Sequence, residues 1–404
     1  MSGTLLFAHP AEVVTGTATD DSGVLPNACV VVRAGRVLEI TADADGLRNY
    51  PDAVRIDCTG QVITPGFVDS HTHALFGGTR AAEYQMRARG LDYMEIARRG
   101  GGINASVSDV RQRSRAELVE LTLPRLQQSL AHGTTTIEIK SGYGLSLDAE
   151  LKMLAAIADV AAATPLDVVP TFLGAHDVPL EFREHRARYV QLVAGEMIPA
   201  IAAARLARFC DVFMEPGAFT EAETRVIMQA AVAHGLIPKL HADEFVNSGA
   251  AELAVELNAA SADHLGAVSE RGIAALAASQ TVATLLPATL FFLGKKNYAP
   301  ARRLIDAGAT LALATDFNPG TAPSASMPLV LTMAVSMMQM TPLEAIVAAS
   351  AGGARALRLE DAGVIRAGAR ADLVVWHVSS HLEIPYHFGS PPVAGVWKAG
   401  ERVI

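Results

Sequence analysis

The segment Pro65-Gly-Phe-Val-Asp-Ser-His-Thr-His73 is an apolar run that finishes in two histidines one residue apart. Along an extended strand, alternate side chains point to the same side, so the imidazoles of His71 and His73 can reach one metal ion together. Two histidines make only half a site. A catalytic metal takes three or more protein donors and keeps a position for water, so further His or carboxylate groups must come from other segments. His241 in Lys-Leu-His-Ala-Asp-Glu and Asp316 in Leu-Ala-Thr-Asp-Phe-Asn are of the correct type and also end β-rich runs.

For such distant groups to meet, the elements carrying them must converge. From residue 63 to 364 the chain alternates β and α signals, the pattern of a parallel sheet flanked by helices. The strand candidates are Ile63–Ser70, Thr134–Ile139, Asp167–Gly174, Cys210–Glu215, Leu236–His241, Ala259–His264, Thr281–Leu286 and Thr310–Asp316, with capping boxes at Ser114/Glu117 and Thr220/Glu223 opening two of the helices between them. Eight strand–helix units predict an α/β fold, a closed (β/α)8 barrel whose reactive groups gather where the C-terminal strand ends face one mouth. The histidines sort accordingly. His71, His73, His176, His241 and His264 fall at strand ends, as does Asp316, whereas His132 and His234 each precede a Gly at a helix end and are read as structural. His9, His185, His377, His381 and His387 are assigned no chemistry. Residues 1–62 and 365–404 carry short runs such as Ala28–Arg33, Val37–Ile40, Ala371–Trp376 and Val393–Lys398, which predicts a small β-sandwich built from both chain ends.

The His-x-His run with a late barrel-end Asp resembles the amidohydrolase superfamily. A narrower likeness is carried by Phe76-Gly-Gly-Thr-Arg80, Ile137-Glu-Ile-Lys-Ser-Gly-Tyr-Gly144, Phe172-Leu-Gly-Ala-His176, His241-Ala-Asp-Glu244, Ser261-Ala-Asp-His264 and Ala314-Thr-Asp-Phe-Asn-Pro-Gly-Thr321. Together these segments resemble the imidazolonepropionase family of histidine degradation over nearly the whole chain. That resemblance implies hydrolysis of the cyclic amide C–N bond of 4-imidazolone-5-propanoate to N-formimidoyl-L-glutamate, with one Zn or Fe ion per subunit on His71, His73, His241 and Asp316. Such an ion lowers the pKa of bound water toward ~7 and supplies hydroxide at neutral pH. Asp316 and Glu244 are then candidates to move the proton, and His264 to polarise the ring carbonyl or steady the oxyanion. Arg80 offers a planar fork for the propanoate carboxylate. Tyr143, His176, Asn318, Gly320 and Thr321 match positions that contact ligand in the family. Two residues depart from the pattern: family members can carry Gln in place of Glu244, and many have Cys where Phe317 stands.

Other features receive bland readings. Lys140 and Glu215 are assigned supporting roles, Arg98-Arg-Gly-Gly-Gly102 a mobile lid, and the methionines from Met333 to Met340 a place in the core. Two other functions use the same scaffold. A heterocyclic-base deaminase would have no carboxylate for Arg80 to bind, and a non-catalytic barrel relative would be expected to have lost metal ligands.

Bulk composition bounds the partners. The 404 residues are 50% apolar and 19% charged, with a net charge of −9 and no basic block, so nucleic acid and anionic membranes are not expected to bind. No membrane-spanning helix is expected, and the N-terminus lacks a signal-peptide pattern. Cys29, Cys58 and Cys210 are odd in number and far apart, which reads as free thiols in a reducing cytoplasm. A small carboxylate-bearing substrate and a second copy of the chain, forming a homodimer, are the expected partners.

Overall fold

The computed structural model describes residues 3–91, 95 and 101–404. Its centre is one eight-stranded sheet in which every neighbouring pair is parallel and sequential. The strands are Phe67–Asp69, Thr134–Lys140, Asp167–Ala175, Phe209–Met214, Ile237–Ala242, Ser261–His264, Val282–Leu285 and Leu311–Leu313, called barrel strands 1 to 8 below. Strands 8 and 1 meet just past their ends: Thr72 bridges Phe317 in parallel, His73 N–H donates to the Phe317 carbonyl at 2.9 Å, and Asp316 N–H donates to the His71 carbonyl at 3.1 Å. The ring therefore closes at its mouth, beside the residues expected to do chemistry.

Strand 2, Thr-Thr-Thr-Ile-Glu-Ile-Lys, is buried along its whole length. Ile137 and Ile139 join the apolar layer between strands and helices, while Glu138 and Lys140 make ion pairs with groups on other strands across the barrel axis. A barrel interior is ordinarily packed with branched apolar side chains; here much of it is ionic. Helices cover the outside, and Ser114 and Thr220 open two of them with complete capping boxes, as does Thr341 with Glu344, a third that the sequence reading did not single out. His132 and His234 close their helices directly before Gly133 and Gly235, both at positive φ.

The chain termini form two further sheets. One has the order Arg36–Ala42, Ala28–Arg33, Thr4–Ala8, Val54–Asp57; the other has Glu401–Arg402, Val393–Lys398, Leu373–Trp376, Val62–Pro65, Glu12–Val14, Val24–Pro26. Leu5, Phe7 and Val30 of the first share an apolar core with Ile63, Leu373 and Trp397 of the second, and the Phe7 and Trp397 rings meet edge to face at 5.1 Å. Val62–Pro65 pairs with Leu373–Trp376 and Glu12–Val14, so barrel strand 1 starts at Phe67 and not at Ile63 as expected. The physical cause is the Pro65-Gly66 step. Gly66 crosses so closely over strand 2 that an added Cβ would lie 2.2 Å from Thr135 Oγ1, so only a residue without a side chain lets the chain pass from one sheet to the other.

Of the methionine run, Met333, Met338 and Met340 are buried and Met337 is exposed. The three cysteines are free and buried. Among the described residues no helix is long and apolar enough to cross a membrane.

Candidate metal centre

His71 and His73 follow strand 1, His241 lies in strand 5, His264 ends strand 6, and Asp316 lies three residues past strand 8. The fold brings them together. Ring centroids are 5.4 Å apart for His71 and His73, 4.5 Å for His71 and His241, 5.6 Å for His73 and His241, and 5.2 Å for His241 and His264. Asp316 Oδ1 lies 3.7 Å from His71 Nε2 and 3.6 Å from His73 Nε2. Two overlapping triads, His71–His73–Asp316 and His71–His241–His264, each bring their donor atoms within 4.8 Å of one another. His264 thus stands among the donors as well as beside them. Asp316 and His264 both have positive φ, +53° and +83°. L residues rarely adopt that conformation, and such strain collects where a site over-determines the backbone.

What suits these histidines to ligation is the layer beneath them. His71 Nδ1 lies 2.6 Å from Asp263 Oδ2, and His241 Nδ1 lies 2.9 Å from Asp211 Oδ2. A carboxylate behind Nδ1 holds the proton there and turns the Nε2 lone pair outward. The Nε2 atoms of both His71 and His241 are buried without any hydrogen-bond partner, as is Nδ1 of His73. Unpartnered buried polar atoms are costly, and His71, His73 and His241 each belong to a donor triad close enough to hold a cation. Burial, reinforced by neighbouring positive charge, holds His71 and His73 well below the usual histidine pKa, so both stay neutral as ligation requires.

Deeper still, Lys140 Nζ sits 2.8 Å from Asp211 and 2.9 Å from Glu138, and Lys239 Nζ sits 2.9 Å from Glu138 and 2.7 Å from the Ser70 carbonyl, all fully buried. Burial alone would lower the Lys140 pKa, but the carboxylates of Asp211, Glu138 and Asp263 outweigh it and hold the ammonium charged. Asp211, although desolvated, is kept well below the carboxylate range by His241 and Lys140. A triad of His71, Asp211 and Asp263 is also close enough to hold an ion. Lys140 already lies 2.8 Å from Asp211 and 3.8 Å from Asp263, occupying the cation's place there.

Above the cluster, His264 Nδ1 is 3.6 Å from Glu244 Oε1. Glu244 is buried, and desolvation together with the Asp316 and Glu215 charges pushes its pKa well above the usual range. Burial likewise pushes Asp316 up to about 6, against the hydrogen bond that Thr289 Oγ1 donates to its Oδ2. Local geometry explains the Asp243-Glu244 pair. Asp243 accepts N–H groups of Ser248, Ala250 and Ala251 at the start of the helix Ala250–Glu256, while Glu215 accepts those of Glu244, Phe245 and Val246 and so fixes the loop that presents Glu244.

The residues matched to ligand contacts line the same mouth. The His176 ring stacks on His73 at 4.9 Å, its Nδ1 lies 3.1 Å from the Gly142 carbonyl, and burial lowers its pKa to about 3. Tyr143 is 5.5 Å from His176 and 5.9 Å from His73, and burial raises its phenol. Asn318 spends its amide on its own loop: Oδ1 accepts from Gly320 N at 2.9 Å and Thr321 N at 2.7 Å, and Nδ2 donates to the Asp316 carbonyl at 2.7 Å. Arg80 is joined to that loop through its N–H, which donates to the Pro319 carbonyl at 3.2 Å. Of the segment expected to be a lid, Arg98, Arg99 and Gly100 lie outside the described residues.

Sequence reasoning missed Asp211, Asp263, Glu138, Lys239 and Thr289. A signal existed for four of them: a charged residue in a run otherwise suited to a buried strand must pair with something. Thr289 gave none, because an isolated Thr in a helix start is common.

Comparison with known proteins agrees with this fold. The amidohydrolase family profile matches residues 62–403. The chain is 46% identical to the imidazolonepropionase of Symbiobacterium thermophilum, over 99% of this chain and 97% of that one, and 45% identical to that of Herpetosiphon aurantiacus, over 98% and 95%. Among solved structures it resembles an atrazine chlorohydrolase variant from Arthrobacter aurescens complexed with zinc and atraton (TM-score 0.73, 17% identity, 99% and 95% covered). It also resembles an adenosine deaminase from Xanthomonas campestris with bound zinc (TM-score 0.71, 19% identity, 98% and 92% covered). At that identity these two structures speak for the fold alone. The family and the His/Asp cluster together indicate a divalent metal. A ring of buried, unpartnered donors at the mouth of a parallel barrel, in a chain so close to these relatives over its full length, leads to one assignment: the chain belongs to the amidohydrolase family and, within it, to the imidazolonepropionases.

Proposed function

We propose that the mouth of this barrel opens the ring of 4-imidazolone-5-propanoate by hydrolysis of its cyclic amide C–N bond, giving N-formimidoyl-L-glutamate, with the residue roles that follow. Hydrolytic ring opening in histidine degradation is the activity of the family to which the chain belongs. His71, His73, His241 and Asp316 hold one ion, zinc or iron, a choice that three imidazoles and a carboxylate suit equally. When bound, such an ion acidifies water and polarises a carbonyl. Glu244, with Asp316 beside it, takes a proton from the attacking water and returns it to the ring nitrogen as the C–N bond breaks. His264, kept neutral by burial, has one N–H to offer the oxyanion that forms on the attacked carbon. Arg80 takes the propanoate carboxylate, and Tyr143, His176, Thr321 and the Asn318–Gly320 backbone enclose the ring.

One observation carries this reading: unpartnered imidazole nitrogens and a guanidinium-bearing loop, joined through Asp316 to Gly320, share one mouth. A deaminase acting on a neutral base has no use for that guanidinium. We place the protein in the cytoplasm, which three unpaired cysteines support, and as a homodimer, for which exposed Tyr386 and Phe388 offer apolar surface; light scattering that gives the monomer mass removes the latter. The central test combines metal analysis with a spectrophotometric assay on freshly made substrate. The wild-type chain should carry one zinc or iron and turn over, and His71→Ala should lose both. Turnover by a metal-free His71→Ala protein would end the proposal.

A further inference from the structure

Arg80 sits at the start of the helix Ala81–Ala88, and its side chain is not free. Nε donates to Glu83 Oε1 at 3.0 Å and Nη2 to Glu83 Oε2 at 2.8 Å, with only 12% and 13% of the two side chains exposed. Glu83 Oε1 also accepts the Gly102 N–H at 2.9 Å, just before the helix Ile103–Gln112. One edge of the guanidinium is therefore consumed by an internal carboxylate. Arginine has five N–H donors in a fixed plane, so the opposite edge, formed by Nη1 and the second Nη2 hydrogen, is still available for another carboxylate. Gly320 packs against Nη1, Cζ and Nε of the guanidinium, where an added Cβ would come 2.2 Å from Nη1, so only bare backbone fits beside it. Arg87, about two turns further along the same helix, donates through Nη2 to the Gly320 carbonyl at 3.2 Å and lies over the Phe292 ring at 4.9 Å. Two guanidiniums thus flank Gly320 with Glu83 between them in charge, and the three groups sum to one positive charge.

We propose that Glu83 is a positioning residue that aims Arg80 at the substrate carboxylate, so that selectivity for a carboxylate-bearing ring depends on an ion pair inside the protein. The inference rests on the reading of Arg80 as the carboxylate-binding group. A bidentate pair locks the long side chain in one rotamer before substrate arrives, which spares the ordering cost at binding. Glu83 also keeps two like-charged guanidiniums tolerable at one loop. Without it, Arg80 retains its charge but not its direction.

The test compares wild type, Glu83→Gln and Arg80→Gln on 4-imidazolone-5-propanoate and on the ring analogue lacking the carboxylate. Glu83→Gln should raise KM for the full substrate about tenfold with kcat within about threefold, and leave the analogue's kcat/KM in place. Glu83→Asp, which keeps the charge and shortens its reach, should give a smaller rise and serves if the Gln variant does not fold. Equal losses on both substrates, or no loss on either, overturn the proposal while the reading of Arg80 stands. If Arg80→Gln leaves the preference for the carboxylate unchanged, that reading itself is overturned, and the inference with it.

Discussion

Glu244 stands where a carboxylate is hard to keep charged, buried and facing the Asp316 and Glu215 carboxylates, and its pKa is raised well above the ordinary range. A base works only when deprotonated, so activity that depends on Glu244 is present above its pKa and lost as pH falls through it. The acid limb of kcat/KM should therefore lie above the ~4.3 of an ordinary glutamate. Glu244→Gln should lower kcat by about a hundredfold and remove that limb, as pH–rate profiles of the two proteins will show. Retention of both rate and limb would hand the proton to Asp316.

At the scale of the element, the second, fourth, fifth and sixth strands do more than enclose space. Each contributes at least one charged side chain to a dry network in which Lys140 and Lys239 pair with Glu138, Asp211 and Asp263, and two of those carboxylates orient His71 and His241. Removing one member of a buried ion network leaves its partners uncompensated, at a cost of about 3–5 kcal/mol. Lys140→Met should lower unfolding stability by about that amount in urea titrations, because Asp211 would lose its ammonium partner and Glu138 would keep only Lys239. A loss under ~1 kcal/mol would mean that the carboxylates find other partners or take up protons, the response that burial favours in an uncompensated acid.

At the scale of the whole molecule, the proposed ligands His71, His73, His241 and Asp316 come from strands 1, 5 and 8, and strands 1 and 8 are the two that meet to close the ring. Outside the cluster that seam rests on the Thr72–Phe317 bridge and on the hydrogen bonds Thr315 makes to Asp69. An ion bound only by the folded chain stabilises it by mass action, about 4 kcal/mol at a thousandfold excess over Kd. Chelator treatment should therefore lower Tm by several degrees, and added zinc or iron should restore it in differential scanning calorimetry. An unchanged Tm would mean that the unpartnered imidazoles do not share an ion.

Much of this was legible in the residues alone. The alternation of apolar runs with capped helices located all eight barrel strands, and His71, His73, His241, His264 and Asp316 stood out because polar groups at the ends of apolar strands have few other uses. Boundaries were less secure: strand 1 lost Ile63–Pro65 to a terminal sheet because pairing partners hundreds of residues away are invisible to local pattern. Only the tertiary structure decided which carboxylate stands behind which imidazole, that Lys140 and Lys239 sit beneath the site, and that Arg80 already holds Glu83. Periodicity records which way a side chain points from its own strand, whereas an ion pair across a barrel depends on the register and tilt of several strands at once, and these are settled when the ring closes.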